Sequence, residues 1–116
     1  MPIAARYLFI VSMDVAPDKE ALFNEVYDTE HVPLLSKVPG VRGVTRMKTE
    51  PASFNIGGQR KVLDGAGAPT YMAIYEIDSP DVLLSKEWAE AGEQGRWPAE
   101  VRPYTTNRHH IVRKVI

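Results

Sequence analysis

The sequence predicts an α+β domain with the element order βαββαβ, and three observations carry that reading. Two segments, Arg6–Met13 and Thr70–Ile77, have the length and the aromatic and β-branched content of strands. Two others, from about Asp18 to Glu30 and from Pro80 to about Gly92, carry apolar stripes at helical spacing behind a proline near their start. The chain of 116 residues has the length of one ordinary domain, so 1–116 is expected to be a single unit around one modest core.

In Arg6–Met13 both alternating sets are apolar: Tyr7, Phe9, Val11 and Met13 form one, and Leu8 and Ile10 lead the other. A strand of that kind is covered on both faces. Pro17, Asp18 and Glu20 suit a positive helix start. Leu22, Val26 and Thr29 then follow one stripe, and Phe23, Tyr27 and His31 the next, until Pro33 is expected to stop the helix. Val38-Pro39-Gly40 marks a turn. Val41–Glu50 reads as a second strand, more polar and so nearer an edge. Residues 51–69 are long for a structureless connection, which leaves a lid, a hairpin extension or a mobile loop. Thr70–Ile77 is the third strand. Ser79-Pro80-Asp81 caps a second helix whose apolar face is Val82, Leu83, Leu84, Trp88 and Ala89, ending near Gly92 and Gly95. An irregular connector through Arg96-Trp97-Pro98 and Arg102-Pro103-Tyr104 leads to a last strand, Thr106–Ile116.

That order is the ferredoxin-like split βαβ plan: a four-stranded antiparallel sheet with two helices on one face. Apolar residues on the other face need a cover, and a second copy of the chain is the simplest one. Two sheets meeting across a two-fold axis close into an α/β barrel, so a homodimer is expected.

The composition, 44% hydrophobic and 25% charged with a net charge of −1, is that of a globular protein. No run of like charge offers a footprint for nucleic acid or an anionic membrane surface. The apolar run Tyr7–Val11 is too short for a signal core or a membrane span, and a cytoplasmic protein is expected. The absence of cysteine excludes disulfides, thiolate metal sites and cysteine nucleophiles, and agrees with a reducing compartment.

Candidate chemistry concentrates in Glu25-Val26-Tyr27-Asp28-Thr29-Glu30-His31-Val32-Pro33. Tyr27 and His31 are four apart and share a helix face; Asp28 and His31, three apart, can also meet. An imidazole with an ordinary pKa of ~6.5 both accepts and releases protons near neutrality. In a last helical turn the dipole would favour its charged form, and burial would oppose it. His31 is thus the candidate general acid/base, Tyr27 a hydrogen-bond donor to a ligand oxygen, and Asp28 the carboxylate that orients the ring. The alternatives are a histidine that only caps carbonyls, a tyrosine packed at the surface and a solvated aspartate. Phe23, Trp88 and Trp97, with Arg96 beside them, are candidates to wall a pocket for an apolar or aromatic ligand. Arg108 and His110 share a strand face and suit a carboxylate or phenolate, while His109 points the other way. No metal site is expected, because no spacing of the HExxH kind is present and adjacent strand histidines face apart. Arg46 and Lys48 read as solvated strand residues.

The run Tyr27-Asp28-Thr29-Glu30-His31-Val32-Pro33, followed by Val38-Pro39-Gly40-Val41, resembles the Tyr-x-x-x-His-x-Pro and Val-Pro-Gly pattern of EthD-like proteins in the dimeric α/β-barrel superfamily. The likeness covers the first half well and the second mainly through element order. It implies a sheet-to-sheet dimer with a pocket between sheet and helices, into which His31 points. The superfamily includes isomerases, decarboxylases, polyketide cyclases, cofactor-free monooxygenases and haem-degrading enzymes, and fold analogy does not choose among them. The resulting expectation is a cofactor-independent isomerase, lyase or cyclase, with oxygenase chemistry if the substrate itself activates oxygen. The competing readings are a non-catalytic small-molecule binder and a structural dimer module.

Overall fold

A computed structural model describes residues 3–116. Its main sheet holds β1 (Tyr7–Val15), β2 (Val41–Lys48), β5 (Tyr71–Ile77) and β6 (Thr105–Lys114) in the order β2-β5-β1-β6, with every neighbouring pair antiparallel. The two strands that are apolar on both faces, β1 and β5, take the centre. The more polar β2 takes an edge, as its composition indicates. This is the expected ferredoxin-like α+β architecture.

Alternation along β5 fixes which face is which. Tyr71, Ala73, Tyr75 and Ile77 are buried under the helices, and Met72, Ile74 and Glu76 turn away. Cross-strand pairing carries the same assignment to β1, where Val11 lies opposite Ala73, and to β6, where His110 lies opposite Val11. Phe23, Val26, Leu35, Val82, Trp97 and Val101 complete the core from the helical side.

The helical layer departs from the sequence reading in a way that shapes the site. A short 3-10 turn (Pro17–Lys19) leads into α1 (Glu20–Val26), which passes into a π-helical turn (Tyr27–His31) and then α2 (Val32–Ser36). Pro33 therefore does not stop the helix. A proline inside a regular α-helix clashes with the carbonyl four residues back and lacks the donor for it. Here the wide turn, closed by the Val32 amide donating to the Tyr27 carbonyl, loosens the helix just where the ring enters. Thr29 adds to the distortion by donating its hydroxyl to the Glu25 carbonyl at 2.7 Å. His31 sits mid-helix as a result, not in a last turn.

The second helical segment is two pieces, a 3-10 turn (Pro80–Leu84) and α3 (Lys86–Ala91). Ser85 divides them: its extended backbone breaks the first, and its hydroxyl accepts the Trp88 amide at 3.1 Å to cap the second. The break turns Leu84 to solvent, so it is not on the apolar face. The connector expected to be irregular folds as a second π turn (Trp97–Val101) and a 3-10 turn (Arg102–Tyr104).

Gly40 explains the Val-Pro-Gly turn. Its φ is +92°, and a Cβ there would lie 2.5 Å from Val82 Cγ2, so both the backbone and the close approach of the second helical segment need glycine. Of the three readings of residues 51–69, the structure takes the hairpin extension. β3 (Ala52–Ile56) and β4 (Gln59–Leu63) pair antiparallel across Gly57-Gly58, both at positive φ as a type I′ turn requires. This hairpin forms its own small sheet and lies outside the cavity described below.

The sheet face away from the helices carries Leu8, Ile10, Met47, Met72, Ile74 and Ile111, the last paired opposite Ile10. Met47, Met72 and Ile111 are exposed in the single chain. Among the described residues no helix is long and apolar enough to cross a membrane.

Candidate functional site

Between the helical layer and the sheet lies a cavity of about 230 Å³. The π turn of residues 27–31 supplies Tyr27 and His31 to it, and the facing π turn supplies Trp97. β1 contributes Phe9, Val11 and Met13, β5 contributes Tyr75, α3 contributes Trp88, and β6 contributes Arg108 and His110. A π turn widens the helix by one residue per turn, which swings Tyr27 and His31 together onto its inner face.

His31 is only 7% exposed. Its ring stacks on Trp97, with centroids 4.3 Å apart and planes at 16°, and meets the edge of Tyr27 at 5.2 Å. Nδ1 is buried and has no hydrogen-bond partner. Burial pulls the imidazole pKa down to about 4; the nearby Arg102 guanidinium adds to the fall, and Glu93 opposes it weakly. The ring is therefore neutral at pH 7. Of the two opposed influences that the sequence sets on this imidazole, burial prevails, because the residue is mid-helix and desolvated.

The Tyr27 hydroxyl shares a 3.3 Å hydrogen bond with the Tyr75 hydroxyl. Burial raises both phenol pKa values, so both stay protonated. One proton serves the shared bond, which leaves the other for a ligand oxygen.

The remaining sequence candidates divide. Trp88, Trp97, Arg108 and His110 line the cavity. Trp88 meets Phe9 and Tyr75 edge-on at 5.8 and 5.4 Å. His110 stacks on Phe9 at 5.9 Å, whereas His109 turns away and bonds Asn107. Phe23 is fully buried against Tyr27, Tyr71 and Trp97 and supports the wall from behind without lining it. Asp28 does not orient His31. Its carboxylate faces solvent and accepts from Arg46 at 2.7 Å, because residues three apart diverge once the helix has widened. Arg96 is no wall residue either: its guanidinium binds Glu30 and Glu25 outside the cavity.

Three contributors escaped the sequence reading. Arg46 is not solvated. Its guanidinium lies 4.4 Å over the Tyr27 ring, donates to Asn24 at 2.7 Å and backs the site from β2. Tyr75 read only as a strand aromatic, and its partnership with Tyr27 spans 48 positions. Arg102 lines the cavity while held by Glu93 and by the Gly92 carbonyl. Its place beside Pro103 in a connector gave no periodic signal. Among the described residues no group of three or more His, Asp or Glu side chains is arranged to hold a metal.

Solved structures share this fold. An ethyl tert-butyl ether D (EthD) family protein from Bacillus halodurans C-125 superposes with a TM-score of 0.56 at 17% identity, over 95% of this chain and 99% of that one. This is an EthD-like fold. The heme-degrader MhuD from Mycobacterium tuberculosis, solved with two hemes bound in its active site, superposes with a TM-score of 0.60 at 12% identity, over 95% of each chain. No family model and no curated protein sequence matches the chain. The likeness is thus one of fold, nearly end to end, and the chemistry has to come from the cavity itself.

Proposed function

We propose that this protein is a cofactor-independent small-molecule enzyme of isomerase, lyase or cyclase type, with His31 as general acid/base in the cavity between sheet and helices. The observation that carries the reading is a neutral, almost fully buried imidazole held by ring stacking on the wall of an aromatic cavity. A histidine that serves only to cap carbonyls has no reason to be so desolvated.

Because Nδ1 is buried, proton exchange with a ligand runs through Nε2. An imidazole with a pKa of about 4 is a weak base and, once protonated, a strong acid. It suits a carbon acid activated by neighbouring carbonyl or aromatic groups. His31 takes the proton, the free hydroxyl proton of the Tyr27–Tyr75 pair stabilises the enolate oxygen, and the imidazolium returns the proton to another atom. The walls of Phe9, Trp88 and Trp97 exclude water meanwhile. Heme is not carried over from the structural neighbour. Cavities of about 150 Å³ accept benzene, so about 230 Å³ suits a ligand of one or two rings.

Isotope exchange tests this mechanism whatever the product is. Incubation with a panel of aryl ketones and β-dicarbonyl compounds in D₂O, followed by NMR, should reveal enzyme-dependent exchange of an acidic C–H. His31→Gln should slow it by roughly 10²–10⁴-fold. Binding without exchange across the panel would favour the carrier reading. Exchange undiminished in His31→Gln would remove the mechanism.

The same reading includes a homodimer formed through the open sheet face, supported by its apolar residues. Sedimentation velocity should give two chains for the wild type and one for Ile74→Lys, which puts a charge at the centre of that face.

A further inference from the structure

The charged groups on the cavity wall are two arginines, Arg102 and Arg108. The imidazoles of His31 and His110 line it beside them, and no carboxylate does. The two arginines differ. Arg102 is compensated by two bonds to Glu93 and one to the Gly92 carbonyl. Arg108 makes no ion pair or side-chain hydrogen bond among the described residues. It sits at the outer, exposed part of the cavity beside His110, whose ring lies nearly parallel to Phe9 at 23°. Trp88 meets Phe9 edge-on. The cavity therefore has an aromatic interior, an unopposed guanidinium at its rim and a buried imidazole within.

We infer that the ligand is a small aromatic carboxylate of one or two rings, with its rings among Phe9, Trp88 and Trp97 and its carboxylate at Arg108. This deepens the proposed function and rests on that cavity being the ligand site. A planar guanidinium binds a carboxylate through two parallel hydrogen bonds, which fixes the orientation of the rings as well as adding affinity. An anion in the cavity also offsets the Arg102 charge that His31 feels. This makes the imidazole a better proton acceptor with ligand bound than without.

The probes are 2-naphthoate and its neutral isostere 2-naphthamide, titrated against the full chain while following Trp88 and Trp97 fluorescence. The wild type should bind naphthoate roughly tenfold or more tighter than naphthamide, as one charge-assisted contact provides. Arg108→Gln should abolish that preference and leave naphthamide binding intact, with circular dichroism confirming the fold. Arg60→Gln, on the hairpin away from the cavity, should keep the preference. Equal binding of the two probes by the wild type would overturn the carboxylate assignment and leave the ligand site standing. Fluorescence moved by neither probe would overturn both. A preference for naphthoate that survives in Arg108→Gln would overturn the assignment to Arg108.

Discussion

His31 and His110 line one cavity under opposite conditions. His31 is carried by a distorted helix, sealed by Trp97 and Tyr27, and left without a partner for Nδ1. His110 is carried by an edge strand, half stacked on Phe9, exposed and next to a free arginine. Burial lowers the pKa of both, with the neighbouring Arg108 guanidinium adding to the effect at His110. Only at His31 is the shift large, to about 4. The difference teaches that residue type does not assign a role. The inner histidine has a tuned proton affinity and a fixed ring, which suits chemistry, and the outer one has solvent access and a guanidinium beside it, which suits recognition.

The sharpest way to break the contrast is to remove the ring that seals the inner site. Trp97 is 4% exposed and packs on Phe23, Tyr27 and His31. Trp97→Ala should cost about 3–5 kcal/mol in urea unfolding and move the His31 NMR titration upward, toward that of His110. Trp88→Ala, at a half-buried position, should cost less and leave the His31 titration nearly in place.

A smaller effect is readable in the pH dependence of stability. Folded His31 stays neutral down to about pH 4, while in the unfolded chain it titrates near 6.5. Between those values the unfolded chain binds a proton that the folded one does not. Stability is thus full above pH 6.5 and falls as the pH drops toward 4, by ~3 kcal/mol for this group. Denaturant melts from pH 4 to 7 should show that slope in the wild type and a flatter one in His31→Gln. His110→Gln should change the slope little.

Asp28→Asn should have the smallest effect. The pair with Arg46 is exposed on the carboxylate side and is worth below about 1 kcal/mol. The deuterium-exchange rate should be unchanged, since Asp28 does not touch His31. A loss comparable to that of His31→Gln would restore the orienting role that the spacing alone had suggested.

Much of the fold was legible in the chain because its cues are local and repeat. The alternation in Tyr7–Met13 and Tyr71–Ile77 marks central strands, and the polar character of Val41–Lys48 marks an edge. The Tyr27–His31 pairing was legible too, since residues four apart share a face in an ordinary helix and the π turn keeps the rings in contact. Asp28 misled for the same reason in reverse. A three-residue spacing presumes regular geometry, and the turn that accommodates Pro33 is not regular. The hairpin at 52–63 hid behind a polar, glycine-rich composition that fits a loop equally well.

By itself, then, the amino-acid sequence determined the element order, the central and edge strands, the two-faced apolar sheet and the histidine worth watching. Each of these follows from patterns within a few residues. Only the tertiary structure decided that Trp97 stacks on His31, that Tyr75 meets Tyr27, that Arg46 backs the site and that Arg102 and Arg108 share its wall. The first three are contacts between residues far apart in the chain. Their burial, which sets the proton affinity of His31, exists only once the sheet and the two π turns have closed around it.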